Sequence, residues 1–148
     1  MKVGFFVLLA ILAFIVIGTP SPWGIQAQKK NSFDALCQQS SRPGTCDEVL
    51  SVITRFWRAA QKGDLDVASK LRTNTMEGFT IVVNDDAHPW ESVIFETGLT
   101  YIRPTNFECK SETECRVLVV ARNRYGNELR LVHTVVKGDD GWRIRFIT

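Results

Sequence analysis

From Met76 onward the apolar residues alternate with polar ones, and the alternation is densest in the last third of the chain. Three strands are predicted there, over Cys115–Asn123, Glu128–Lys137 and Trp142–Ile147. Tyr125-Gly126-Asn127 and Gly138-Asp139-Asp140-Gly141 separate them, residues that supply the backbone angles hairpins need. Further strands are predicted over Phe79–Val83, Ser92–Glu96, Leu99–Arg103 and Phe107–Lys110, with Pro104 ending its run or holding it at a sheet edge. Upstream the period changes. Val49, Val52, Ile53, Phe56, Trp57 and Ala60 form one apolar stripe of a helix over 46–62. Thr45 and Glu48 are placed as its capping box and Gly63 as its stop. Asp64 caps a shorter helix carrying Leu65, Ala68 and Leu71, and Phe33–Gln39 forms a helical turn.

The register follows from the turns. Lys137 opposes Trp142, so Val135 opposes Ile144 and His133 opposes Phe146. One face then holds Leu129, Leu131, His133, Val135, Trp142, Ile144 and Phe146. The other holds Arg130, Val132, Thr134, Val136, Arg143, Arg145 and Ile147. The first is more apolar and is placed against the helices. A three-residue loop at the preceding turn adds Val117, Val119 and Ala121 to it, without burying Arg122 unpaired. The class is α+β, with N-terminal helices packed in the concave face of a curved antiparallel sheet.

The N-terminus is of another kind. Lys2 precedes the unbroken apolar run Val3–Ile17, which falls short of the ~20 residues that span a bilayer. Together with small residues near Ala27 it reads as a signal peptide over 1–27, or an anchor if left uncut. Export is to the periplasm or the medium. Residues 28–45 form an N-terminal segment, and 46–148 the domain. Removing Lys2 lowers the formal charge from +2 to +1, too little to attract nucleic acid. A membrane partner enters only through an uncut N-terminus.

All four cysteines lie in the exported part, and an even count in an oxidising compartment reads as two disulfides. Of the three pairings, Cys37–Cys46 and Cys109–Cys115 are favoured because each flanks a short polar turn. No metal-ligand spacing and no cofactor motif occurs in the sequence.

The helix stripe leading into Gly63-Asp64-Leu65-Asp66, and the ending Gly138-Asp139-Asp140-Gly141-Trp142-Arg143-Ile144, resemble the nuclear transport factor 2-like superfamily, also called ketosteroid-isomerase-like or cystatin-like. The resemblance spans roughly residues 46–148 and implies a cone-shaped fold. It also implies two uses of the sheet: a pocket inside, and pairing with a second copy or a protein partner outside. His133 is the sharpest pocket candidate, followed by Tyr101, Trp90, Trp57 and Trp142; Arg130, Arg143 and Arg145 are the partner-surface candidates. Asp85, Asp86 and His88 share a turn, where backbone preference alone accounts for the acids.

The leading expectation is an exported, non-catalytic binding or interaction domain. It takes a protein on the sheet, or a small apolar ligand in the cone. One alternative is a membrane-anchored accessory subunit of a secretion or envelope assembly, since some type IV secretion proteins resemble this layout. The other is an isomerase- or dehydratase-like enzyme using the pocket histidine.

Overall fold

In a computed structural model the described residues are 35–148. The proposed signal peptide and residues 28–34 lie outside them. After a helical turn over 35–38, helix α1 (Pro43–Lys62) and helix α2 (Leu65–Lys70) lead into the hairpin β1 (Thr80–Val83) and β2 (Asp86–Pro89). A π-helical segment, Ser92–Glu96, follows. A four-stranded antiparallel meander then runs in chain order: β3 (Thr100–Cys109), β4 (Glu114–Arg122), β5 (Glu128–Gly138) and β6 (Gly141–Ile147).

Helix α1 starts three residues before the boundary expected from the sequence. Pro43 occupies its first turn, where a missing N–H costs nothing, and no side chain caps it. Thr45 and Glu48 therefore do not form the capping box. Glu48 instead accepts a hydrogen bond from Trp142 Nε1 at 3.1 Å, tying the helix to β6. Gly63 ends the helix with φ 72°, and Asp64 Oδ1 accepts from Val67 N at 3.2 Å to start α2. Ala68 of that helix and Leu71 just after it are buried, whereas Leu65 is exposed.

The expected face of the sheet packs against α1. Val49, Leu50, Ile53, Phe56, Trp57 and Ala60 from the helix meet Val117, Val119, Ala121, Leu131, Val135, Trp142 and Ile144, all buried. The β4–β5 register matches the three-residue loop, pairing Val117 with His133 and Val119 with Leu131. Lys137 pairs with Trp142 and Val135 with Ile144, as the turn chemistry required.

Three expectations about the strands fail. A bulge at Arg145 shifts the β5–β6 register, so His133 opposes Ile147 and Phe146 opposes Thr134. Ile147 is buried in place of Phe146, which is 52 % exposed. Ser92–Glu96 is not a strand, because winding it helically buries Val93 and Ile94 together. Leu99–Arg103 and Phe107–Lys110 are parts of one strand: β3 lies at the sheet edge and passes through Pro104 beside two register shifts.

At the other edge, Ile144 N donates to Leu71 O at 2.8 Å and Thr73 N to Ile144 O at 3.0 Å. The stretch after α2 thus covers part of β6 as a short parallel bridge. Both favoured disulfides are present, Cys37–Cys46 beside α1 and Cys109–Cys115 across the β3–β4 turn.

Candidate functional site

The interior between α1 and the sheet is closed at its centre. His133 has no exposed surface, and Trp57 Nε1 donates to its Nε2 at 2.9 Å. An indole N–H can only donate, so Nε2 is the unprotonated nitrogen. The proton sits on Nδ1, which faces Leu131 O at 3.4 Å. Burial is the main cause that pushes the His133 pKa down from 6.5 to about 4, with the carbonyls of Leu131 and Val117 opposing weakly. At neutral pH this imidazole is uncharged, and its ring lies 5.9 Å from that of Trp57. It holds helix to sheet and meets no solvent.

The other interior candidates are packing groups as well. Tyr101, opposite Ala121, is half-buried and its hydroxyl makes no hydrogen bond; the neighbouring Thr54 hydroxyl donates to Leu50 O at 2.9 Å. Burial raises its pKa to about 12, tempered by Thr54. Trp90 was expected at a pocket rim. It is buried instead, edge-on to Phe95 at 5.6 Å. Trp142 is buried and held by Glu48. No general acid–base pair is assembled from these groups, which removes the strongest residue from the isomerase or dehydratase reading.

A cleft of ≈ 320 Å³ opens where the β1–β2 turn, the π-helical segment and the β4–β5 loop meet. Val83, Val93 and Leu129 give it an apolar floor, and Asn84, His88, Ser92, Thr97, Asn123 and Asn127 a polar rim. Asn84 and Asp85 hold positive φ of 53° and 69°, as a two-residue turn between paired strands requires. Asn123 Oδ1 accepts from Tyr125 N and Asn127 N, both at 3.0 Å, which fixes the loop. Ser92 and Thr97 hydroxyls are spent on Glu96 and on Val93 O. The lining has no charged carboxylate or guanidinium. No sequence motif announced this cleft, since its residues come from three separate turns.

The outer face of the meander is of different character. Cross-strand pairing aligns Arg103, Val120 and Arg130 in one row and Asn106, Leu118 and Val132 in the next. Leu118, Val132 and Val136 are half-buried and Val120 is buried, while Arg103, Arg116 and Arg130 are exposed. Arg122 donates to Glu128 at 2.8 Å, and this bond, with the nearby charges of Arg122, Arg103 and Arg130, holds the Glu128 carboxyl below its ordinary pKa. Among the described residues Arg103, Arg116, Arg130 and Arg145 are in no ion pair. Arg143 is tied to Asp140 at 3.1 Å, and Arg145 lies 5.2 Å from the Phe146 ring centroid. The face is therefore an apolar strip flanked by unpaired guanidinium groups.

Among the described residues no helix is long and apolar enough to cross a membrane, and no cluster of His, Cys, Asp and Glu forms a metal site. The two disulfides fit an exported protein. No family model matches the sequence, and no curated protein matches it either.

Proposed function

We propose that this chain is an exported, non-catalytic binding domain with the cone layout of nuclear transport factor 2-like proteins, and that it docks an acidic protein partner on the outer face of the meander. The row Arg103–Val120–Arg130 carries this reading. Arginine beside an aliphatic strip is the composition of an interface core, and the acids of this face stand at the strand ends, where Glu128 is already held by Arg122 at 2.8 Å. Glu108 and Glu114 are the acids at the far end of the strands, and Glu114 is already held by Lys110 at 3.9 Å.

The test uses the disulfide-bonded chain and, as probe, a synthetic peptide of alternating glutamate and threonine, followed by titration calorimetry at low and high salt. Saturable binding that weakens with salt and is lost in R103E/R130E is expected. The control K62E/K70E makes the same charge change on the helices and should leave binding intact. Equal binding by R103E/R130E overturns the assignment.

The cleft supports a second reading. Its apolar floor and amide-rich rim suit a small ligand with one hydrogen-bonding edge.

A further inference from the structure

The stretch after α2 contains a buried cation without a counter-charge. Arg72 is 5 % exposed, and its guanidinium carbon lies 3.5 Å from the centroid of the Phe79 ring. Nη1 donates to Thr75 O at 2.6 Å. Nε is buried and finds no acceptor. Among the described residues no carboxylate forms an ion pair with this group. A buried guanidinium is ordinarily matched by an anion, because leaving either charge unpaired is strongly destabilising. The Phe79 ring offers the cation a face, but it accepts nothing in the plane where the Nε–H bond points.

That side chain lines a cleft of ≈ 220 Å³ together with Arg145, Asn74, Thr75, Thr80 and Phe146. A guanidinium binds a carboxylate or phosphate through paired N–H···O bonds, and because Nε of Arg72 has no accessible surface, that role falls to its terminal nitrogens. Arg145 brings a second, exposed cation to the same cleft, and Asn74 and Thr80 bring neutral polar groups. Glu77 also lines it and is the one acid there. It makes no ion pair with either arginine and stands as a competitor for them.

We infer that the Arg72–Arg145 cleft is a binding site for a single oxyanion, held by the guanidinium of Arg72 and closed by Arg145. The two sources of that chemistry are a carboxylate and a phosphate group. This site lies beside the edge of β6 that the stretch after α2 covers, does not use the Arg103–Arg130 row, and stands or falls separately from partner docking.

The experiment titrates the full disulfide-bonded chain with acetate and, separately, with inorganic phosphate at constant ionic strength set by chloride. Arginine Nε–H resonances are followed by NMR. One of the two anions should shift the Arg72 Nε–H signal saturably, and the one with the lower dissociation constant identifies the source. R145Q, at an exposed position, should fold normally and weaken binding about tenfold, the loss of one charge-assisted hydrogen bond. E77Q should tighten it by removing the competing acid. A Nε–H signal that neither anion moves saturably overturns the proposal, as does a response unchanged in R145Q.

Discussion

The contact between Trp57 and His133 makes folding stability depend on pH in a calculable way. In the unfolded chain His133 takes up a proton at its ordinary pKa of 6.5, whereas in the native interior it resists protonation down to about 4. The folded pKa is lowered, so the unfolded state binds the proton first as the pH falls. The stabilisation is complete above pH 6.5, declines between 6.5 and about 4, and is lost below. At 1.36 kcal/mol for each pH unit of that interval, the native state loses about 3 kcal/mol across it. That is a large share of the 5–15 kcal/mol typical of a domain. Urea denaturation followed by tryptophan fluorescence at several values between pH 7.5 and 4 measures it directly. H133Q supplies the control: its amide oxygen can accept from Trp57 but does not titrate. Carboxylates affect both proteins alike, so the difference between the two curves isolates His133. A difference that grows by about 3 kcal/mol toward pH 4 is expected. Parallel curves, or an NMR titration placing the His133 pKa near 6.5, refute the sealed interior.

Other consequences follow from the packing. The bulge at Arg145 predicts unequal neighbours: I147A costs about 2–5 kcal/mol by chemical denaturation, whereas F146A stays within about 1 kcal/mol. Equal costs mean the bulge is misplaced. G63A forces a side chain onto φ 72° and lowers the denaturation midpoint by an amount equivalent to about 1 kcal/mol. An unchanged midpoint contradicts the left-handed cap. Peptide mapping by mass spectrometry without reduction yields the linkages Cys37–Cys46 and Cys109–Cys115. Crossed pairs contradict the β3–β4 hairpin.

What the chain revealed of itself depended on how local each constraint was. His133 could be placed inside because Leu131, Val135 and Ile144 leave one register that buries them all, and a two-residue turn at Asp139-Asp140 enforces it. The end of β6 was ambiguous, since Phe146 and Ile147 are both apolar and one bulged residue decides between them. Ser92–Glu96 is rich in strand-forming residues yet coils, because burial of Val93 and Ile94 outweighs a propensity worth fractions of a kcal/mol. The Thr45–Glu48 pair had the sequence of a cap, but Pro43 starts the helix earlier and Glu48 is drawn to Trp142. The 320 Å³ cleft and the unpaired Arg72 were invisible for another reason. Each depends on residues far apart in the chain, brought together only by the completed fold.

The sharpest test of an outward-facing binding domain with a closed interior is NMR mapping of backbone amide shifts during titration with the alternating glutamate–threonine peptide. The proposal predicts perturbations clustered on Arg103, Leu118, Val120, Arg130 and Val132, with His133 and Trp57 unmoved. Shifts confined to the cleft around Asn84, Val93 and Asn127, or to the helices, contradict it.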